Sequence, residues 1–298
     1  HQIFASARIG IAASSSGYTR ADDILRDAAI ALTRATVSSA PYEIFDPAMR
    51  QRAITRLQFE TDLRKAIDEE AFEMHYQPII ALASGRIAGF EALLRWRHPS
   101  RGLVQPSDFI EVAEDTGMII DIGRLTLAES CRQMAEWLAR YVAAAPQMMC
   151  ANVSSKQLAD PGLMADIAAT LRTTGLAAAH LKLEITESAF INDVPRAQAT
   201  LNHARSMGVG WSLDDFGTGF SSLSFLHRLQ VDTVKVDQSF VAEIGPAASG
   251  SAMVKAIVGL GHTLGMDVVA EGVETAEQAA ALRKIGCEYA QGFYFSKA

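Results

Sequence analysis

The chain has 298 residues, of which 49% are apolar, with a mean hydropathy of +0.10 and a formal net charge of −7. Such a chain buries a sizeable core, which argues against disorder. Its acidic balance argues against coating nucleic acid through a basic face, yet suits a small anionic ligand gripped by metal ions and a few basic groups. The three cysteines, Cys131, Cys150 and Cys287, lie far apart without a CxxC pair. They predict a reducing, cytoplasmic compartment and small buried side chains. No uncharged apolar run reaches the ~18–20 residues of a membrane span, and no signal segment opens the chain. A start at His1 rather than Met predicts a piece of a longer protein, whose membrane anchor, if it has one, lies outside this chain.

In chain order, residues 7–12 read as a short strand and residues 14–17 as a loop. Thr19 with Asp22 reads as a helix N-cap pair before the stripe Ile24, Leu25, Ala28, Leu32. Ser38-Ser39-Ala40-Pro41 punctuates this segment, and a boundary is expected near residue 50. A helix from Arg52 to Glu70 carries an apolar stripe at Ile54, Leu57, Leu63 and Ile67. Strands are expected at 74–82, 87–96, 149–153, 181–186, 210–215, 233–237, 268–271 and 290–295, most separated by amphipathic helices such as 125–140 and 253–264. Eight strands with interposed helices predict an α/β fold, a TIM-like (β/α)8 barrel, with a doubly wound open sheet as the alternative. The first two strands are joined only by residues 83–86, so a hairpin should make the barrel irregular there.

The polar residues within these strands carry the chemistry. Alternation puts Ser212 and Asp214 on one face, and Trp211, Leu213 and Asp215 on the other. Asp215 does not belong on an apolar face, so the strand should end about there and release it. Alone, this stretch reads rather as a strand-terminal turn. Six consecutive strands, however, place Glu91, Asn152, Glu184, Asp214 with Asp215, Lys235 and Glu271 at or near their C-terminal ends. In a barrel those ends meet at one mouth. Five carboxylates facing one another are prohibitive unless protonated or neutralised. Two divalent cations together with the Lys235 ammonium would balance them. All-oxygen ligation favours Mg²⁺ or Mn²⁺ over zinc, and paired metals suit attack of activated water on a phosphodiester.

These strands hold recognisable motifs. Phe90-Glu91-Ala92-Leu93-Leu94-Arg95-Trp96, Asn152-Val153-Ser154, Glu184-Ile185-Thr186-Glu187, Asp214-Asp215-Phe216-Gly217-Thr218-Gly219, Lys235-Val236-Asp237, Glu271-Gly272-Val273-Glu274 and Gln291-Gly292-Phe293-Tyr294-Phe295 follow one another in order. Over about residues 55–298 the chain resembles the EAL domain, a cyclic di-GMP phosphodiesterase. Residues 1–36 resemble the last strand and helix of a GGDEF (diguanylate cyclase) domain. Thr33 and Thr36 stand where that family usually has Tyr and Lys, and without the GGDEF signature the fragment cannot make the cyclic dinucleotide. The expected division is a GGDEF-like remnant and linker over 1–50 and an EAL barrel over 51–298.

The resemblance implies hydrolysis of cyclic di-GMP to linear pGpG. Glu91, Asn152, Glu184 and Asp214 would hold one metal; Asp214, Asp215 and Glu271 the second. Lys235 would orient the attacking water, Arg95 would contact a phosphate, and Gln77 and Gln291 would meet the ligand. Asp237 is either an acid near the ligand or an ordinary hydrogen-bonding residue. Glu187 would tether the loop from Asp215 to about Ser222 through groups such as Thr218 and Ser221. Ca²⁺ should bind and inhibit, no nucleic acid polymer is expected as partner, and the resemblance allows a homodimer through the EAL domain. Phe220 replaces a common Tyr, and the chain stops at Ala298, short of the family's usual last helix. His75, His98, His203, His227 and His262 lack metal-ligand spacing and read as structural. Competing readings are a ligand receptor without turnover, a structural module and a different barrel phosphodiesterase. The filled ligand positions, unpaired carboxylates and motif order each speak against one of them.

Overall fold

A computed structural model describes residues 7–13, 18–142, 145–190, 194–217, 229, 231–244 and 249–297. The chain forms two compact units, His1–Lys65 and Ala66–Ala298.

In the first unit, strands β1 (Ile9–Ile11) and β2 (Tyr42–Ile44) pair in parallel around the helix Ala21–Val37. The expected Thr19–Asp22 cap does not form: Arg20 occupies the N-cap without a side-chain capping bond, and Asp22 and Asp23 instead favour the helix dipole from the first turn. The apolar stripe is not the buried one. Ile24, Leu25 and Leu32 are exposed, while Asp27, Ala31 and Ala35 are buried at i, i+4 spacing. Asp27 is held there by the Tyr18 hydroxyl at 2.8 Å and the Arg50 Nε at 3.1 Å. Burial works against the Asp27 charge, but Arg50 and Tyr18 outweigh it and keep its pKa below the usual value. The second helix begins at Pro47 rather than at Arg52, because Asp46 accepts from the Ala48 N–H at 3.0 Å and Pro47 suits the first helical position.

The second unit is a closed barrel. Strands β3 (Phe72–Ala81), β4 (Arg86–His98), β6 (Met148–Asn152), β7 (Leu181–Thr186), β8 (Gly210–Phe216), β9 (Thr233–Val236), β10 (Asp267–Ala270) and β11 (Tyr289–Ala290) form the wall, with β5 (Gly102–Val104) paired outside on β4. The order runs β3-β11-β10-β9-β8-β7-β6-β4, and β4 closes onto β3. β3 lies antiparallel to both its neighbours, β4 and β11; the other wall pairings are parallel. The expected barrel, irregular at its first hairpin, is therefore the observed one.

Outward side chains such as Leu183, Trp211, Leu213, Val234, Val236 and Val268 are fully buried with the apolar faces of the surrounding helices. All three cysteines are free and buried, and burial pushes the Cys131 and Cys287 thiols up to about 12. Among the described residues no helix is long and apolar enough to cross a membrane.

The last strand departs from expectation. It is paired only at Tyr289–Ala290, and the chain then turns, with Tyr294 N–H on the Val273 carbonyl at 2.9 Å. Gly292 makes this possible: a Cβ there would lie 2.2 Å from the backbone N and O of Val273. Gly292→Ala should lower stability by about 1–3 kcal/mol, since backbone atoms cannot rotate away. In the helix Ser249–Thr263, Gly259 has nothing within 4 Å of an added Cβ. Gly259→Ala should raise stability by about 0.5–1 kcal/mol. Urea unfolding of both variants checks the pair, and a Gly292→Ala protein as stable as the parent would refute the close-approach argument.

Candidate active site

The C-terminal ends of β6, β7, β8, β9 and β10 meet at one mouth, as the strand pattern predicts, but β4 contributes Glu91 from its middle, where its pairing with β6 ends at Ala92. At its centre is Lys235 of β9, 1% exposed. Its Nζ lies 2.6 Å from Glu271 Oε1, 3.0 Å from Glu184 Oε2, 3.2 Å from Asp214 Oδ1 and 3.3 Å from Glu91 Oε2. One ammonium thus faces four carboxylates, three on β4, β7 and β8 and one directly after β10.

Two local irregularities aim these groups. On β8, Leu213 pairs with Val234 and Phe216 with Val236, so three steps on one strand match two on the other. The extra residue is a bulge, and Asp215 adopts a left-handed φ of 55°. Alternation would have sent Asp214 and Asp215 to opposite faces; the bulge brings both to the mouth. Directly after β10, Glu271 is followed by Gly272 at φ +65°, where a Cβ would lie 2.4 Å from the Gln238 Cβ. Carboxylate oxygens of Asp214, Asp215 and Glu271 lie within 4.8 Å of one another. Their all-oxygen donor set fits a hard divalent cation.

Around Glu91, Asn152 Nδ2 donates to Oε1 at 2.9 Å and Gln291 Nε2 to Oε2 at 2.7 Å. Gln291 Nε2 also donates to Gln77 Oε1 at 2.8 Å, which joins β3 to the site. Gln77, Glu91, Asp215, Asp237, Glu271 and Gln291 border one cavity of about 280 Å³. Gln238, Glu274 and Phe293 line it as well; the first two follow strand ends, where alternation says nothing, and Phe293 lies in the turn after β11 rather than in the strand expected over 290–295. Asp237 caps the helix Gln238–Ala242, its Oδ1 accepting from the Ser239 N–H at 2.9 Å. Arg95 is half-buried, makes no ion pair among the described residues, and donates from Nη1 to the Leu94 carbonyl at 2.8 Å. Glu187 opens a 3-10 turn directly after β7; its side chain is buried, and Oε2 has no hydrogen bond among the described residues. Its expected partners Thr218 and Ser221 lie outside the described residues, as does His227.

The electrostatics are uneven. Burial pushes Glu184 well above the usual carboxylate range; Lys235 opposes this, and Glu91, Asp214 and Glu271 add to it. Glu91 is equally buried yet lies below its ordinary value, because Lys235 and the bonds from Asn152 and Gln291 outweigh burial. Burial and the neighbouring Asp214 raise Asp215. Burial lowers Lys235, but the carboxylates around it dominate and hold it firmly charged.

Fold and site together define a TIM-like barrel with an acidic, lysine-centred mouth. A family model described as the EAL domain matches residues 60–298. The chain belongs to the EAL domain family. It is 39% identical over 298 residues to the bifunctional diguanylate cyclase/cyclic di-GMP phosphodiesterase MucR of Pseudomonas aeruginosa, a match that takes in 100% of this chain and 43% of that protein. It is 36% identical over 294 residues to the cyclic di-GMP phosphodiesterase NbdA of the same organism, covering 98% of this chain and 37% of the relative. The chain thus spans less than half the length of these relatives. Among solved structures, the MucR phosphodiesterase in complex with c-di-GMP superposes with a TM-score of 0.76 at 42% identity, over 80% of this chain and 96% of that one. The EAL enzyme Bd1971, bound to cAMP and cyclic-di-GMP, gives 0.77 at 34%, over 83% and 67%.

Burial raises Glu271 to about 7, above its unfolded value of 4.5, with Lys235 opposing and Asp214 and Glu91 reinforcing the rise. Between those values the folded chain holds a proton that the unfolded chain releases, so stability falls as pH rises through that window. Glu271→Gln keeps an acceptor for Lys235 without titrating. With divalent ions chelated, it should exceed the parent in stability at pH 8 by on the order of 1–3 kcal/mol, and match it near pH 4. Denaturant midpoints across that range check this; parallel pH profiles for the two proteins would refute it.

Proposed function

We propose that this chain is a metal-dependent phosphodiesterase that hydrolyses cyclic di-GMP to linear pGpG. The observation that carries the reading is the convergence of Glu91, Glu184, Asp214 and Glu271 on Lys235, with Asp215 beside them. Such an excess of buried negative charge suits a site completed by cations.

In this reading Glu91, Asn152, Glu184 and Asp214 hold one Mg²⁺ or Mn²⁺, and Asp214, Asp215 and Glu271 hold a second. Bound there, the ions supply Lewis acidity toward the phosphodiester and lower the pKa of water. Lys235 Nζ donates to the attacking water and aims its lone pair at phosphorus. Water adds to phosphorus, one P–O ester bond breaks, and the released alkoxide takes up a proton. Arg95 neutralises a phosphate, while Gln77 and Gln291, already bonded to one another, orient the ligand beside Glu91. Asp237 borders the same cavity, and its capping bond fixes it there. Residues 1–50 are proposed as the end of a GGDEF-like domain, and 51–298 as the phosphodiesterase. Ile9, Ile11, Tyr42 and Ile44 are exposed, whereas parallel strands are ordinarily covered on both faces. Free, buried cysteines accord with a cytoplasmic setting. A homodimer through the EAL domain also belongs to this reading.

Purified chain incubated with cyclic di-GMP should release pGpG in Mg²⁺ or Mn²⁺, as chromatography would show. Ca²⁺ should bind the same oxygens and inhibit, because its longer, looser coordination misplaces the water. Glu91→Ala should abolish turnover. Lys235→Ala should retain metal binding by calorimetry yet lose about 100-fold or more in kcat. Full activity in Lys235→Ala would reduce Lys235 to a structural counter-ion.

Glu187→Ala should fold normally and bind cyclic di-GMP in Ca²⁺, but lose most of its turnover at low Mg²⁺. High Mg²⁺ should recover part of that loss, since the loop that Glu187 steadies presents Asp215 to the second ion. A Mg²⁺ titration superimposable on that of the parent would sink the tether.

A further inference from the structure

β4 does not stop at the mouth. Ala92 is its last residue paired with β6, and residues 93–98 continue beyond it, accompanied by β3 back to Phe72. On one face of this extension stand Glu91, Leu93, Arg95 and Arg97; across from them stand Gln77, His75 and Glu73. The register places Glu73 directly opposite Arg95. Opposite charges facing one another across an antiparallel pair attract, so a Glu73–Arg95 ion pair is the simple expectation.

The pair is not made. Glu73 Oε2 is bonded by Arg97 Nη2, and Glu73 Oε1 lies 3.2 Å from His75 Nε2. Both oxygens of Glu73 are engaged, and the bonds from His75 and Arg97 keep its pKa low against burial. Arg95, left without a carboxylate partner among the described residues, turns to the Leu94 carbonyl. Burial works against its charge, and Glu91 supplies the field that supports it. The Arg97 side chain is 74% exposed, and so exposed an ion pair adds little to stability. Its consequence is to be sought in the charge left on Arg95.

We infer that Arg97, together with His75, keeps Glu73 away from Arg95, so that the Arg95 guanidinium stays available to an anionic phosphodiester at the mouth. This rests on the proposed function. Arg97 is here a positioning residue: it never meets the ligand, and it acts by occupying the carboxylate that would otherwise cancel Arg95. Without Arg97, one oxygen of Glu73 is released two residues along the same face from Arg97, opposite Arg95, and an internal ion pair competes with the ligand phosphate.

The test measures KM in Mg²⁺ and Kd in Ca²⁺ for cyclic di-GMP. Arg97→Ala and Arg97→Gln should raise both by about three- to tenfold, with kcat within about twofold of the parent. Glu73→Gln alone should stay near the parent, and Glu73→Gln added to Arg97→Ala should restore parental KM. In an Arg95→Ala background, Arg97→Ala should have no further effect. Direct contact between Arg97 and the phosphate would give a loss that Glu73→Gln does not repair, and that result overturns the inference. So does an unchanged KM in both Arg97 variants of a chain that otherwise turns over normally. A parent that neither binds nor cleaves cyclic di-GMP refutes the functional reading, and the inference with it.

Discussion

A single buried ammonium holds the mouth of this barrel together. Lys235 contacts carboxylates on β4, β7 and β8 and the one that directly follows β10, so segments on both sides of β9 are drawn toward one point. The four acids are not equivalent there. Glu91, with three kinds of donor around it, remains an anion, whereas Glu184, with Lys235 as its one hydrogen-bond donor among the described residues, is driven toward the neutral form. An interior of this kind contributes little net stability, because desolvation offsets attraction. Its value lies in geometry, since charges that cannot relax are already oriented for whatever cation and anion enter.

The barrel supplies that geometry through its departures from regularity. β3 runs against its neighbours, so Gln77 reaches Gln291 and Glu91 from a strand of opposite direction. β11 is short because Gly292 folds the chain back against Val273, and Gln291 is left immediately before that turn. Gly272 does the same for Glu271, with Gln238 packed where a side chain would otherwise stand. A perfectly regular barrel would carry the same residues with fewer of them facing inward.

Much of this was legible in the residues. The strand rhythm disclosed the barrel, and period-2 alternation found Glu91, Glu184 and Lys235, because both signals reflect burial on one face of a strand. The charge imbalance at the strand ends points to cations from the residues alone. The helix in the first unit was less legible: its apolar stripe lies exposed and its buried stripe contains Asp27, whose burial depends on Arg50, twenty-three residues away. No local pattern carries such a partnership. The start of the second helix was missed although Asp46-Pro47 is an N-cap and first-turn pair, and the end of β11 was missed because close backbone approach at Gly292 is a tertiary fact. The occupants of Glu73 likewise follow from register and side-chain choice, which spacing alone does not decide.

The bulge in β8 makes the identity of residue 215 answer to two separate demands. Its backbone has a left-handed φ that glycine, asparagine and aspartate tolerate and β-branched residues resist, while its side chain must offer an oxygen to the mouth. Aspartate satisfies both with the shortest acidic side chain; glutamate meets only the second comfortably, and glycine only the first. A one-residue deletion at this point would straighten the ladder and turn one of the two neighbouring acids outward among the helices. The doubled aspartate is therefore one unit with its backbone, and grafting this cluster onto another barrel would require moving the extra residue along with the acids.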